Sequence, residues 1–448
     1  MTKDLTQGSP VRLILGFALP LLAGMLFQQL YNLVDTLIVG RFLGMEALAG
    51  VGATGSINFL VLGFCMGICS GFAIPVAQQF GAHEESRMRE FVSNGTWLSI
   101  VFAVVMTVLT VVYCADILRL MNTPEDIIDG SYSYIFVIFL GIPATYMYNL
   151  LSGIMRSLGD SKTPLYLLIF SSILNIILDL LSIIVLKMGV AGAAWATILS
   201  QFFSAVLSLV VGLKNFPILH LHREDFTDLK DTAILHLKTG FPMGFQMSVM
   251  CIGQLAMQAV VNSLGTAAVA GYTAASKADQ LSVLVNNAMM TAISNYVAQN
   301  FGAGRWDRIR QGVRACLIQT EAFNLIMCIG ILLLRHPIVR MFLSDPTKEI
   351  YHYSDMYLTI VAPFYFVLGL LAVYRTSIQS MQNGKAPFAA CMIELVMRIA
   401  ATVGLSGIIG YTSVCIASPM AWIGACALLI PVYYKMMKGN CAALLRME

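Results

Sequence analysis

Long apolar runs alternate with short polar stretches, rich in charge, glycine or proline, along almost the whole chain. A helix rises about 1.5 Å per residue and needs about 20 apolar residues to cross a bilayer, a length these runs reach. The pattern predicts twelve spans, near 12–40, 48–79, 92–115, 128–156, 163–187 and 189–212, then 234–262, 267–300, 313–335, 352–380, 386–409 and 411–436. Such a chain is an all-α polytopic membrane protein. With the N-terminus inside, most of the 27 basic residues fall in cytoplasmic segments, a few in outer loops, and Lys277 and Arg398 within spans. The positive-inside rule then expects both termini in the cytoplasm and the protein in the plasma (inner) membrane. The short polar start, Met1–Pro10, leads into a full span, which reads as a first helix and not as a cleavable signal.

The chain also repeats itself. Val76-Ala-Gln-Gln-Phe-Gly-Ala82 returns as Val297-Ala-Gln-Asn-Phe-Gly-Ala303, and Arg87-Met-Arg89 returns at the same offset as Arg308-Ile-Arg310. Pro20 matches Pro242, and the Gly159–Pro164 turn loosely matches Gly384–Pro387. This divides the protein into an N-terminal six-helix lobe (1–213), a cytoplasmic linker (214–233) and a C-terminal six-helix lobe (234–448). An even helix count gives both halves the same orientation, the parallel-repeat plan of transporters, with a substrate site expected between them.

Composition agrees and narrows the class. Of 448 residues, 58% are hydrophobic and 11% charged, far below the roughly 25% charge of soluble domains. A net charge of +3 without basic tracts gives no sign of a nucleic-acid partner; the partner expected from composition is the lipid bilayer. The ten cysteines have neither disulfide nor zinc spacing and read as small apolar packers. All six histidines fall in loops or near helix ends. No phosphate-binding loop, zinc-protease motif or nucleophile elbow occurs, so the chain is expected to be no enzyme, to need no cofactor beyond an ion, and to draw on an ion gradient.

Candidate chemistry lies in the polar residues at membrane depth. A carboxylate there costs roughly 2.5–3.5 kcal/mol on insertion scales, so it needs a partner, a proton or a bound cation. Asp35 sits in the first span and Asp179 in the fifth; Asn175 is one turn before Asp179 on the same face. Counting from the span ends, Asp35, Asp179 and Thr197 lie roughly 8–12 Å below the outer surface, with Asn175 a turn deeper. Oxygens converging at one depth suit Na⁺ or a shared proton; the bland alternative is two unrelated acids, each satisfied by an amide. In the second half Asp35 maps to Ala256 or Met257, and Asn175 maps to Arg398. Glu394 and Arg398 are four apart, so they are expected to neutralise each other or to line the cavity. Lys277 and Asp279, two apart, cannot face one another and are substrate or gating candidates. Pro20 precedes Asp35 in one helix and marks a kink that can bend or stay fixed. The Arg87–Arg89 and Arg305–Arg314 clusters read as cytoplasmic elbows.

The ordered set Pro20…Tyr31…Asp35…Val39-Gly40, Gln78…Phe80-Gly81, Arg156-x-x-Gly159-Asp160-x-x-x-Pro164, Leu174-Asn-Ile-Ile-Leu-Asp179 and Gly192-Ala-Ala-x-Ala-Thr197 resembles the multidrug and toxic compound extrusion (MATE) family over essentially the whole chain. The resemblance implies two lobes in a V, alternating access, and Na⁺- or H⁺-driven export of cationic, amphipathic compounds. It also implies that Asp35, Asn175, Asp179 and Thr197 bind the coupling ion (Na⁺ as the metal, where Na⁺ is used). Pro20 and Tyr31 match residues of helix-one bending, and Asn149 matches a polar cavity residue. Another branch carries a glutamate on helix seven, whereas 241–254 here contains no acid. The chain is expected to act as a monomer. The rival reading is a flippase for lipid-linked precursors, which would want several intramembrane Arg or Lys; a non-transporting receptor is the third.

Overall fold

The structure is a computed structural model and describes residues 3–444 apart from 122, 227–228 and 343–345. The first half runs α1 (Pro10–Leu43), α2 (Met45–Ala53), α3 (Gly55–Gly81), α4 (Glu85–Val112), α5 (Cys114–Leu120), α6 (Ile128–Leu140), α7 (Ile142–Ser157), α8 (Lys162–Leu180) and α9 (Gly189–Asn215). The second half runs α10 (Leu229–Ser263), α11 (Thr266–Gly302), α12 (Trp306–Phe342), α13 (Lys348–Val361), α14 (Tyr365–Ser380), α15 (Lys385–Ile399), α16 (Leu405–Ile409) and α17 (Thr412–Leu444). All twelve sequence-derived spans fall on these helices. Among the described residues, ten spans are individually long and apolar enough to cross a membrane, and α6 with α7, bent by 48° between them, forms an eleventh. α11 supplies the length for a twelfth, but its 37 residues include Lys277, Asp279, Asn286 and Asn295, which lower its apolar character. Much of that polarity is buried within the protein and bonded there: Asn286 Nδ2 donates to Asn324 Oδ1 of α12 at 3.0 Å.

The repeat is written into the backbone as well as the residues. Left-handed residues recur at nearly the same offset in both halves: Gly44 and Gly265, His83 and Gly304, Gly159 and Gln382, Lys187 and Gly410. A widened π turn follows α8 at Leu181–Val185 and follows α15 at Ala400–Gly404. Such local unwinding is frequent at functional sites.

By packing, the chain forms two compact units. One is built on Pro20–Ser248 and takes in Lys3 and Asp4; the other is built on the chain from Val249 onward and takes in Leu5–Leu19. α1 therefore belongs to both, and its division falls at Pro20, where the helix lacks a backbone N–H to bond. α10 is divided likewise, six residues after Pro242.

The two basic clusters hold the segments that lead into these shared helices. In the second unit, Arg308 is 8% exposed and donates to the Gly8 and Leu5 carbonyls at 3.0 and 3.4 Å and to Asn300 Oδ1 at 3.1 Å. Gln299 Oε1 accepts from the Leu5 amide at 2.8 Å. In the first unit, Arg89 pairs with Asp225 at 3.4 Å, while Asn94 donates to Thr232 at 2.6 Å. The basic clusters are thus anchoring points for the segments around them.

The core of the first unit gathers Ile68, Phe72, Met88, Ile135, Phe139 and Tyr146, among others. The nine cysteines with described side chains are free and buried, as small packers should be. Small residues let two long helices cross closely: Gly67 and Gly71 of α3 face Gly240 and Gly244 of α10. A Cβ on Gly71 would stand 2.6 Å from the Thr239 carbonyl oxygen, and one on Gly67 2.6 Å from that of Met243. Because the obstacle is backbone, Gly71→Ala should destabilise the first unit by about 1–3 kcal/mol. A lower melting temperature of the detergent-purified protein checks this; unchanged melting would contradict the close crossing.

Candidate functional site

Three helices of the first unit bring the site together. α1 supplies Tyr31 and Asp35, one turn apart; α8 supplies Asn175 and Asp179, again one turn apart; α9 supplies Thr197. Asp179 is fully buried and Asn175 is 1% exposed, whereas Asp35, Tyr31 and Thr197 are half-buried at the margin. The Asp35 and Asp179 carboxylates lie within hydrogen-bonding reach of each other. One orientation of the Asn175 amide satisfies all its neighbours: Nδ2 donates to Asp179 Oδ2 at 2.7 Å, while Oδ1 accepts from Tyr31 Oη at 3.2 Å and from Thr197 Oγ1 at 3.3 Å. The Thr197 hydroxyl also reaches the Ala193 carbonyl at 3.1 Å. Tyr134 of α6 is close enough to feel both acids.

Two buried atoms in this arrangement have no hydrogen-bond partner, Asp35 Oδ1 and Asp179 Oδ1. Orphaned carboxylate oxygens in a low-dielectric interior call for positive charge. Two carboxylates in contact cannot both stay ionised without a proton or a cation between them. The donors are carboxylate, amide and hydroxyl oxygens, the set a hard cation prefers. Among the described residues no three His, Cys, Asp or Glu side chains cluster in the manner of a transition-metal centre.

The comparisons with known proteins agree with this architecture. The MatE family description matches residues 20–181 and, separately, 242–403. The chain belongs to the MATE family. Its relatives include a probable multidrug resistance protein, YpnP, of Bacillus subtilis, 29% identical over 99% of this chain and 96% of that protein. A protein of Shewanella oneidensis named FAD transporter is 21% identical over 91% of each chain. Among solved structures, a MATE transporter in complex with the ligand MaL6 superposes with a TM-score of 0.91 at 21% identity, over 99% of this chain and 100% of that one, a likeness of fold.

In this MATE protein the remaining expected residues fall apart from the cluster. Pro20 lies 15 residues earlier on α1, at the division between the units. Asn149 of α7 donates to the Thr145 carbonyl at 2.8 Å, and the Thr145 hydroxyl donates to Gln201 at 2.7 Å, a separate polar chain. Lys277 is exposed on α11. Asp279 accepts from Tyr357 at 3.5 Å. The expected pairing of Glu394 with Arg398 is not what forms: Glu394 makes its ion pair with Arg375 of α14. Arg398 extends instead toward α10, where Gly253 leaves it room. The reason is geometric. Two side chains four apart can meet, but a neighbouring helix offers Glu394 a guanidinium that is itself only 5% exposed and needs a counter-charge.

Two buried charges escaped the sequence reading. Arg375 lies near the end of its span, and its place inside the 352–380 run was the available signal. Glu321 lies within the 313–335 run and has both carboxylate oxygens buried and unpartnered. Tyr134 carried no signal at all, since only folding brings α6 beside α1 and α8.

The Asn175 amide links α8 to both α1 and α9, through Tyr31 and Thr197. Removing it in Asn175→Ala leaves Asp179 Oδ2 without its donor, which should cost about 1–3 kcal/mol. Thermal unfolding in detergent reads the loss; Tyr31→Phe, which removes one of several donors to the amide, should cost less.

Proposed function

We propose that this MATE protein is a secondary active antiporter that exports cationic or amphipathic organic compounds in exchange for H⁺ or Na⁺. The observation that carries the reading is the contact between Asp35 and Asp179 at membrane depth, with one unpartnered oxygen on each. A proton or Na⁺ taken up there neutralises the pair, with Asn175, Thr197 and Tyr31 completing an oxygen-lined shell. Asp35 sits on α1, the helix shared by both units, so ion occupancy bears on the segment that links them. Exchange follows when ion and cargo prefer different states of the cavity, since a ligand shifts an equilibrium only by its differential affinity.

Organic cargo is supported by the relatives named as multidrug resistance and export proteins, among them MepA of Staphylococcus aureus, 20% identical over 90% of each chain. An anionic cargo such as that named for the Shewanella relative would need a free intramembrane guanidinium. Arg375 is held by Glu394, which leaves Arg398 and the exposed Lys277 as the cations such a cargo would have to meet, whereas the Asp35–Asp179 pair suits cationic cargo. In this reading the protein works as a monomer in the plasma membrane, with both termini cytoplasmic and no cofactor beyond the coupling ion.

The test is efflux of a fluorescent organic cation from proteoliposomes under a Na⁺ gradient and, separately, a pH gradient. One gradient should drive flux, and Asp35→Asn and Asp179→Asn should each abolish the driven part while inserting and folding normally. Wild-type efflux by either variant would remove the pair from the coupling role. Flux of FAD, and none of organic cations, would favour the anionic cargo.

A further inference from the structure

The second unit holds an acid at membrane depth that the function above does not use. Glu321 lies on α12, 15 residues from the start of that helix at Trp306 and inside the apolar 313–335 run. The residue is half-buried, yet both carboxylate oxygens are buried and lack a hydrogen-bond partner. Among the described residues no Lys, Arg or His pairs with it, and the titratable side chain that faces it from another helix is the Cys426 thiol of α17. A carboxylate in an apolar interior calls for a counter-charge, a bound cation or a proton. The first of these is missing here.

The surroundings choose between the other two. Asn324, on the same face of α12, stands beside the carboxylate: a Cβ on Gly369 of α14 would lie 2.5 Å from Asn324 Nδ2 and 2.7 Å from Glu321 Oε1. Both groups are thus seated on the bare backbone of α14, which only glycine leaves open. The Asn324 amide donates to the Tyr365 carbonyl at 2.9 Å and to Asn286 Oδ1 at 3.4 Å. Asn286 Nδ2 donates in turn to Asn324 Oδ1 at 3.0 Å and to the Ser282 carbonyl at 2.9 Å. An amide carries two N–H hydrogens, so all four are committed and none remains for Glu321. The Tyr365 carbonyl also fixes Asn324 with its N–H edge toward Gly369, the side on which Oε1 lies. Those positive hydrogens repel a metal ion, and the contact with Gly369 leaves no room on that side for an ion with its shell. A proton needs neither oxygen ligands nor space.

Packing alone does not require polarity at this place. The offset of 221 that relates the two Arg-x-Arg clusters carries Glu321 to Ile100, Asn324 to Ala103 and Asn286 to Cys65. In the first unit Ala103 and Cys65 belong to the apolar core. The second unit therefore keeps an acid and two amides where its repeat partner is apolar.

We propose that Glu321, seated between Asn324 and Gly369, is a proton-binding site of the second unit, separate from Asp35 and Asp179. The step is simple. A proton from water bonds one carboxylate oxygen and cancels its charge, and nothing else is transferred. The site is independent of the carboxylate pair in the first unit, so its proton is expected whichever ion that pair takes.

Infrared difference spectroscopy on the full chain in lipid bilayers, stepped from acid to alkaline pH, reads the carbonyl stretch of a protonated carboxylic acid. Wild type should show a component that Glu321→Gln lacks, and that component should fade as the pH is raised. Glu321→Gln keeps the shape of the protonated acid, so it is the variant best suited to fold. Adding Na⁺ at constant pH should leave the component in place, and so should Asp35→Asn. Gly369→Ala, whose methyl group presses on Oε1 and on the Asn324 amide, should shift its frequency, a readout that serves even where Glu321→Gln fails to fold. An unshifted spectrum in Gly369→Ala, no component lost in Glu321→Gln, or a component that responds to no pH would each overturn the proposal. Removal of the component by Na⁺ would overturn it in favour of a sodium site. Its loss in Asp35→Asn would overturn the separation from the first unit, whereas failure of Asp35→Asn to change ion-driven efflux bears on the antiport reading alone.

Discussion

A carboxylate held in an apolar interior must find positive charge, and most of what is distinctive in this protein follows from that requirement. Asp179 is fully buried on α8, in contact with a second carboxylate, Asp35, from α1. Neither helix could satisfy its acid alone, since within a helix the backbone donors are already spent on carbonyls. The Asn175 amide answers part of the demand by donating to one Asp179 oxygen. One oxygen on each acid, Asp35 Oδ1 and Asp179 Oδ1, stays buried without a partner, and the proposed cation site rests on these two atoms.

The same requirement is met elsewhere by fixed partners. Glu394 and Arg375 form an ion pair across α15 and α14, both nearly excluded from solvent. Breaking such a pair by removing one member leaves an uncompensated buried charge, which is why neither residue is free for exchange chemistry.

Geometry then ties the site to the rest of the molecule through α1. Its first ten residues, up to Leu19, pack with the second unit, and the residues from Pro20 onward, including Tyr31 and Asp35, pack with the first. The buried Arg308 and Gln299 hold the segment just before this helix by its backbone. One end of α1 is therefore anchored and the other carries the Asp35 carboxylate of the candidate site. Proline at the division removes a backbone hydrogen bond where the helix passes from one unit to the other.

Much of this was legible in the residues alone. Hydropathy has to follow membrane thickness, so most spans could be located from apolar length, and the twofold repeat showed in short identities such as Val76–Ala82 and Val297–Ala303. The four residues that meet in the candidate site, Asp35, Asn175, Asp179 and Thr197, were also legible, because polar groups inside apolar runs are rare enough to stand out. What only the tertiary structure decided was which charge meets which. Spacing allowed Glu394 to bond Arg398, but the approach of α14 gave it Arg375 instead; spacing marked Asp279 as needing a partner, but only folding brought it Tyr357 and the field of Arg398. The division of α1 between two units was equally invisible, since a proline reads the same whether the helix around it lies in one packing unit or two. Apolar length is a property of the chain and survives translation into sequence, whereas the partner of a buried charge depends on distances between helices that no local pattern records.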